Sequence, residues 1–187
     1  MKNKFYLTTP IYYVNDIPHL GHAYTSLAAD ALARFKRLND VDVFFSTGTD
    51  EHGLKVETSA KEKNKSVEEF TDHVSSRFRN LTNTLNLTND DFIRTTEKRH
   101  KKVVANIWNK LVKKNEIYLG NYKGWYSIRD ESFIAEKEIF TGKNNKKYGP
   151  SKDELKWVEE PSYFFKLSKW QKKLLEFYKN NPNFILP

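Results

Sequence analysis

The sequence predicts an α/β fold, a parallel sheet of the Rossmann type followed by a small antiparallel insertion. Two extended segments rich in aromatic and β-branched residues, 5–13 and 41–46, flank a helical segment. A strand, a crossover helix and a second strand form a βαβ unit with parallel strands. From Ile117 onward, short aromatic strands alternate with glycines, which is typical of antiparallel hairpins. We therefore expect a Rossmann-like α/β unit at residues 1–116 and the insertion, with a return helix, at residues 117–187.

The first helix is predicted from an apolar stripe whose members recur at three- and four-residue steps and should face the core. The stripe consists of Ala23, Leu27, Ala31, Leu32, Phe35 and Leu38. Three basic side chains are expected to face water, namely Arg34, Lys36 and Arg37. Asp16 is a good N-cap, and Pro18 fits the first turn. This start places His19 and His22 one turn apart on the same face of the helix.

The rest of residues 1–116 continues the alternation of helices and strands. A helix is predicted over residues 55–63, and a second opens at the capping box Ser66-Val67-Glu68-Glu69. A short strand at 92–96 leads into a third helix over 97–114. The third helix should turn four apolar side chains inward, namely Val103, Ile107, Trp108 and Leu111.

Two loops are expected at the carboxyl ends of the first two strands. Tyr13–His22 follows the first strand, and Thr47–Gly53 follows the second. In an open α/β sheet the ligand crevice lies at this edge, so we expect the two loops to converge there. The sequence contains neither G-x-G-x-x-G nor G-x-x-x-x-G-K-[ST], so a dinucleotide fingerprint and a P-loop are both excluded.

The composition limits the possible classes of protein. A chain of 187 residues can bury a sizeable core, and it has no cysteine, which excludes disulfides and thiolate metal sites. No apolar run approaches the length needed to span a membrane, so we expect a soluble, cytoplasmic protein. A net charge of +8 is compatible with a nucleic acid partner, but equally with a solvated basic surface. The oligomeric state is left open.

The candidate chemistry lies at the start of the first helix. A helix N-terminus attracts anions such as phosphate, and the imidazoles of His19 and His22 can donate hydrogen bonds to phosphate oxygens. Their protonated forms would add positive charge, and Gly21 would let a flat ring approach the backbone. A metal site is the alternative, but the other three histidines show no ligand spacing around this pair. A purely structural histidine pair is the second alternative.

Two motifs together carry a resemblance to a known family. His19-Leu20-Gly21-His22, preceded by Pro10, Tyr13 and Asn15, resembles the ATP-binding signature of class I aminoacyl-tRNA synthetases. The stretch PIYYVNDIPHLGHAYT together with TGTDEHG is similar to the methionyl-tRNA synthetases in particular. The resemblance implies the first half of a class I catalytic core, interrupted by a connective insertion.

The resemblance implies a role for each matching residue. Asn15, His19, Gly21 and His22 would bind ATP, with His19 and His22 as the catalytic pair that stabilises the phosphates. Ile11 and Tyr13 would line the methionine side-chain pocket, and Asp50 would bind the methionine α-amino group. Without the resemblance, Asp50 and Glu51 would be interpreted as a solvated turn or cap. The implied ligands are methionine, ATP with Mg²⁺, and tRNA(Met).

The resemblance also bears on the insertion. KGWYSIRDESF resembles the start of the connective insertion, which carries zinc-binding cysteines in many family members. This chain has none, so we expect a zinc-free insertion in which Gly142–Asp153 is a short loop. Lys166-Leu167-Ser168-Lys169 resembles the lysine signature of the class, but it lies within the insertion. We interpret it as the cap of a helix that extends to Lys179, with Ser168 opening a second capping box.

The expected function is that of the N-terminal part of a methionine–tRNA ligase, because the resemblance covers only the front of a synthetase. Alone, this part is expected to be inactive. Two alternatives remain: a class I synthetase for another apolar amino acid, and a non-catalytic tRNA-binding or regulatory remnant of the same fold.

Overall fold

The computed structural model describes residues 3–142 and 145–186. The chain divides into two compact units between Val103 and Val104, inside one helix. The first unit contains a parallel sheet with helices. The second contains the end of the shared helix, two antiparallel sheets and a C-terminal helix. The α/β class is therefore confirmed, and the antiparallel strands predicted after Ile117 are present.

The parallel sheet of the first unit is organised around one long strand. Its four strands are β1 (Lys4–Thr8), β2 (Tyr12–Tyr13), β3 (Asp42–Asp50) and β4 (Asp91–Arg94). β3 pairs in parallel with all three others. The prediction that Thr47–Asp50 lies in a loop is wrong, because β2 and β4 both pair with this part of β3 and extend it. The loop that follows the strand begins at Glu51.

The first helix, α1 (Leu20–Leu38), ends as predicted but begins later. Its N-cap is His19, in extended backbone conformation, and not Asp16. Pro18 consequently lies before the helix. The reason is local: the side chain of His19 reaches the backbone N–H of Gly21, whereas the carboxylate of Asp16 accepts from Ile17.

The predicted core stripe of α1 is also wrong. The buried residues of the helix are Ser26, Asp30 and Ala33, whereas Phe35 is 58% exposed. Polar contacts select this face. The Ser26 hydroxyl hydrogen-bonds the Tyr12 hydroxyl at 2.7 Å, and the Asp30 carboxylate accepts from the backbone and side chain of Thr88.

Of the basic residues of α1, Arg34 is exposed and Lys36 and Arg37 are partly exposed, in line with the prediction, but each also makes a contact within the unit. Arg34 is ion-paired with Asp30, and Arg37 with Asp90 at 2.7 Å. The amine of Lys36 lies 5.2 Å from the centre of the Phe5 ring.

Three further helices follow α1. Two of them belong to the first unit, and the third spans the boundary between the two units. They are α2 (Leu54–Glu62), α3 (Val67–Thr84) and α4 (Lys98–Lys113). The capping box at the start of α3 is confirmed, since Ser66 and Glu69 bond each other's backbone N–H. The main core cluster combines Tyr12, Val14, Val56, Ala60, Phe70, Val74, Phe78 and Phe92. The predicted inward set of α4 is wrong, because no residue of this helix is buried.

The second unit is built on a long antiparallel pair. Its elements are β5 (Ile117–Ser127), β6 (Ser132–Phe133), β7 (Phe140–Thr141), β8 (Lys147–Tyr148), β9 (Lys156–Phe165) and α5 (Gln171–Asn180). β5 lies between β6 and β9, and β7 pairs with β8. The predicted loop at Gly142–Asp153 therefore contains a short strand, while its residues 143 and 144 lie outside the described residues.

The start of α5 differs from the prediction. Leu167–Lys169 forms a 3-10 turn, and the N-cap of α5 is Trp170, without a side-chain cap hydrogen bond. Ser168 therefore does not cap the helix.

Among the helices of the described residues, none combines the length and the apolar character that a bilayer crossing requires.

Candidate functional site

The N-terminus of α1 is capped by two imidazole side chains. The Nδ1 atom of His19 accepts the backbone N–H of Gly21 at 3.1 Å, and the Nδ1 atom of His22 accepts the backbone N–H of His19 at 3.1 Å. The two rings stack with their centroids 3.8 Å apart. Side chains of the predicted site therefore satisfy N–H groups that a helix start otherwise leaves open.

Gly21 lies against the ring of His19. A Cβ atom at position 21 would lie 3.0 Å from Cε1 and 3.1 Å from Nδ1 of that ring. Because this spacing is tighter than an ordinary van der Waals contact, a side chain would push the His19 ring away from the turn. Glycine at this position thus permits the imidazole cap.

The cap also determines where each neutral imidazole carries its proton. A neutral imidazole has one nitrogen that donates and one that accepts. Because Nδ1 accepts in both His19 and His22, the proton of each neutral ring is on Nε2. Each ring thus offers one N–H donor beyond the cap, next to the partial positive charge of the helix N-terminus. This arrangement suits an anion with several oxygens, such as a phosphate chain.

His22 is the more enclosed of the two histidines. Its ring packs edge-on against Tyr12 and Phe78, with centroids 4.8 and 4.9 Å away. Burial, followed by the charge of His19, lowers the pKa of His22 below its ordinary value of 6.5. The expectation that protonated imidazoles add charge to the site therefore does not suit His22, for which the neutral donor is favoured.

Tyr13 and Asp50 lie side by side on neighbouring strands. They are opposite each other in the parallel pairing of β2 with β3, and the N–H of Val14 donates to the carbonyl oxygen of Asp50 at 3.3 Å. The residue before Tyr13 is Tyr12, whose ring contacts His22. β2 thus joins the predicted methionine residues to the predicted phosphate residues, and the convergence of the two segments is observed.

Gly53 shapes the space beside Tyr13. Its φ angle is +121°, a conformation that other residues rarely adopt. A Cβ atom at position 53 would lie only 2.0 Å from the Tyr13 hydroxyl oxygen. Glycine at position 53 therefore leaves the space that the Tyr13 hydroxyl occupies beside the loop after β3.

Two predicted site residues lie at the surface of the unit. Ile11 is 40% exposed, and Asn15 is exposed in the turn between β2 and α1. Their roles toward methionine and ATP, like those of the other site residues, stay predictions.

Sequence reasoning missed a buried charge network next to Asp50. The side chain of Glu51 is fully buried, and Arg94 donates to its two oxygens at 2.7 and 2.9 Å. Burial raises the pKa of Glu51, but hydrogen bonds from Arg94, Thr96 and Thr49 outweigh it and hold that pKa below its usual value. The interpretation of Glu51 as part of a solvated turn is therefore wrong. The signal was an arginine in a short predicted strand, since a partly buried arginine needs an acidic partner.

The lysine tetrapeptide of the second unit has partners within that unit. The Nζ atom of Lys166 donates to the Asn115 side chain at 2.8 Å, and that of Lys169 lies 3.8 Å from Glu116.

As for metals, no cluster of three or more histidine or acidic side chains within residues 3–142 and 145–186 is arranged to hold an ion.

Comparison with known proteins assigns the chain to a family. The family model for tRNA synthetases class I (M) matches residues 5–185. The whole chain is 58% identical to the methionine–tRNA ligase of Rickettsia felis and 50% identical to that of Brucella suis, and it spans 36% of the length of each.

Solved structures agree with the fold. Mycobacterium tuberculosis methionyl-tRNA synthetase in complex with methionyl-adenylate superposes with a TM-score of 0.92 at 42% identity, over 99% of this chain and 36% of that one. A leucyl-tRNA synthetase from Agrobacterium radiobacter, 19% identical with a TM-score of 0.77, shares the fold. Because the family match extends over nearly all of its residues, this chain belongs to the class I tRNA synthetases, in the methionine (M) family.

Proposed function

We propose that this chain provides the ATP- and methionine-binding front of a methionine–tRNA ligase. The observation that carries the proposal is the continuity of the site: Tyr12 contacts His22, and the next residue, Tyr13, lies opposite Asp50. The full protein would join methionine to ATP and then transfer the methionyl group to tRNA(Met). A relative at 42% identity binds the intermediate of such a reaction, methionyl-adenylate.

In the proposed first step, a carboxylate oxygen of methionine attacks the α-phosphorus of ATP. A bond forms between that oxygen and phosphorus, the bond to the bridging oxygen breaks, and pyrophosphate leaves with the electron pair. In the second step, the oxygen of a terminal ribose hydroxyl of tRNA bonds to the methionyl carbonyl carbon and the bond from that carbon to the phosphate oxygen breaks. AMP leaves with the electron pair, and its phosphate takes up the hydroxyl proton. No proton transfer by a side chain is needed in the first step.

His19 and His22 would act in this step as preorganised hydrogen-bond donors. Their Nε2–H groups are directed by the cap, so no reorganisation is required when charge develops on the phosphate oxygens. Asn15 and Gly21 would complete the ATP contacts. The lowered pKa of His22 favours a neutral donor over a general acid. Its Nδ1 already accepts the His19 N–H, which argues against a general base.

Methionine would bind where β2 meets β3. Asp50 would pair with the α-ammonium group, since a carboxylate and an ammonium form a strong charge-assisted hydrogen bond. Tyr13 and Ile11 would supply the apolar wall that a thioether side chain requires.

Mg²⁺ would enter with ATP, because phosphate oxygens are ligands that this ion prefers. The described residues provide no acidic cluster of their own for it.

Since the reaction belongs to protein synthesis, we propose a cytoplasmic location.

The test is amino-acid-dependent exchange of pyrophosphate into ATP by the full-length protein. The panel includes methionine, leucine, isoleucine and valine, with tRNA omitted. We expect exchange with methionine and at most about 10% of that rate with the others, because an apolar pocket discriminates by about 10- to 200-fold per methylene.

Three outcomes are distinguishable. Exchange with another apolar amino acid in place of methionine would make the protein a synthetase of different specificity. No exchange from a folded sample would favour a non-catalytic remnant. Exchange by residues 1–187 alone would require Lys166 and Lys169 to be reassigned as catalytic.

A further inference from the structure

The charge network at the end of β3 connects three elements of the first unit. Glu51 follows β3, Arg94 ends β4, and Asp72 lies on α3. The Arg94 guanidinium donates to both carboxylates, to Glu51 at 2.7 and 2.9 Å and to Asp72 at 2.6 Å. Glu51 receives further hydrogen bonds from the hydroxyls of Thr49 and Thr96. A carboxylate with this many donors has one stable position.

The backbone at this point is held as firmly as the side chain. The N–H of Glu51 donates to the Thr95 hydroxyl at 2.9 Å, and the same hydroxyl lies 3.0 Å from Nδ1 of His52. The N–H of Thr95 donates to the carbonyl oxygen of Thr49 at 3.2 Å. The chain leaving β3 is therefore attached to the chain leaving β4 on both sides of Glu51.

Glu51 lies between two residues that define the methionine half-site. Asp50 precedes it, opposite Tyr13 in the β2–β3 pairing, and Gly53 follows two residues later, in contact with the Tyr13 side chain. The backbone of Asp50 is held on both sides: its carbonyl oxygen accepts the N–H of Val14, and the N–H of the next residue, Glu51, donates to Thr95. Fixing Glu51 therefore also restricts where the Asp50 side chain can lie. Arg94 supplies the only charge that compensates Glu51 in the network formed by the described residues.

We propose that Arg94 is a positioning residue for methionine, which holds Glu51 in place and thereby sets where the Asp50 carboxylate lies. This inference rests on the proposed function, because it assigns a substrate to Asp50. Arg94 acts through Glu51 and the backbone, and it does not need to touch methionine. Its bidentate geometry is essential, and a lysine would retain the charge without the fork.

The test uses the full-length protein in methionine-dependent pyrophosphate exchange, with KM measured separately for methionine and ATP. For Arg94→Ala we expect the methionine KM to rise by about tenfold to a hundredfold, since small displacements of a positioning group have effects of this size. The ATP KM should change by less than about threefold, because the imidazole cap on α1 makes no hydrogen bond to the network. The methionine KM of Arg94→Lys should lie between that of the wild type and that of Arg94→Ala.

Arg99→Ala is the matched control. Arg99 makes the same kind of forked ion pair, with Asp91 at 2.7 and 2.9 Å, but at the start of β4 and with its side chain 53% exposed. It should leave both KM values unchanged. Thr96→Val removes a single donor to Glu51 without changing side-chain shape, and it covers the case in which Arg94→Ala does not fold. We expect Thr96→Val to raise the methionine KM in the same direction by a smaller factor.

The outcomes separate this inference from the proposed function. Wild-type exchange with methionine, combined with equal changes in both KM values for Arg94→Ala and none for Thr96→Val, would overturn the positioning role and leave the proposed function intact. A wild-type protein that does not exchange with methionine would overturn both.

Discussion

The imidazole rings of His19 and His22 lie face to face at 3.8 Å, and each accepts a backbone N–H of the same helical turn through Nδ1. One structural feature thus caps α1 and leaves the proton of each neutral ring on Nε2. The cap and the proposed phosphate contacts use different atoms of the same rings, so they can be separated by mutation.

His22→Asn separates them in the full-length protein. The asparagine side-chain oxygen can accept the His19 N–H in place of Nδ1, but no donor remains at the position of Nε2. We expect methionine-dependent exchange to fall by about a hundred- to a thousandfold, the usual loss for one preorganised donor. Methionine binding, measured by calorimetry, should change by less than about twofold.

The matched control for this variant is His73→Asn, on the exposed face of α3. It should have wild-type activity. A parallel loss of methionine affinity and exchange in His22→Asn would show instead that the histidine only maintains the fold.

The stability of the protein should depend on the titration of His22. Burial, and then the charge of His19, lower the pKa of His22 in the folded chain below 6.5. Between the lowered pKa and 6.5 the unfolded chain binds more protons than the folded chain, so the free energy of unfolding rises with pH there. The contribution of His22 is complete above 6.5 and is lost as pH falls through the folded pKa.

The measurement is the difference in free energy of unfolding between wild type and His22→Asn, by urea titration from about pH 8 to about pH 5. The wild type should lose stability relative to the variant below pH 6.5. A difference that is constant over this range would contradict the lowered pKa.

Gly53→Ala should damage the methionine half-site. The alanine must adopt a φ of +121°, and its Cβ would lie 2.0 Å from the Tyr13 hydroxyl. We expect a loss of about 1–3 kcal/mol in the free energy of unfolding, together with weaker methionine binding. Thermal unfolding and calorimetric titration with methionine measure the two effects.

The double variant Gly53→Ala with Tyr13→Phe tests the cause of this damage. Removing the hydroxyl relieves the closest contact, so the combined loss of stability should be smaller than the sum of the two single losses. Strict additivity would show that backbone strain alone is responsible.

The buried face of α1 can be tested by introducing lysine at two positions. Phe35 is 58% exposed, and Ala33 is fully buried. Phe35→Lys should change the free energy of unfolding by less than about 0.5 kcal/mol, as at an ordinary surface site. Ala33→Lys should cost at least about 2 kcal/mol, because it forces volume and charge into the core. The reverse order would support the apolar stripe predicted from periodicity.

Short-range chemistry in the sequence was sufficient for much of this protein. Patterns within a few residues of one another predicted three features: the parallel strands that flank a helix, the Ser66–Glu69 capping box, and the antiparallel strands after Ile117. The histidine pair and the expectation that Tyr13 and Asp50 converge also came from local motifs, since parallel strands end at the same edge of a sheet.

The packing of distant segments decided the rest. α1 buries the face with Ser26 and Asp30, and not its apolar stripe, because these two residues hydrogen-bond Tyr12 and Thr88. Both partners lie outside the helix, so the periodicity of the helix sequence carries no information about them. The burial of Glu51 likewise depends on Arg94, 43 residues away. Such pairs are invisible to a local pattern because a buried charge is stable only beside its partner, and only the tertiary fold brings that partner within hydrogen-bonding distance.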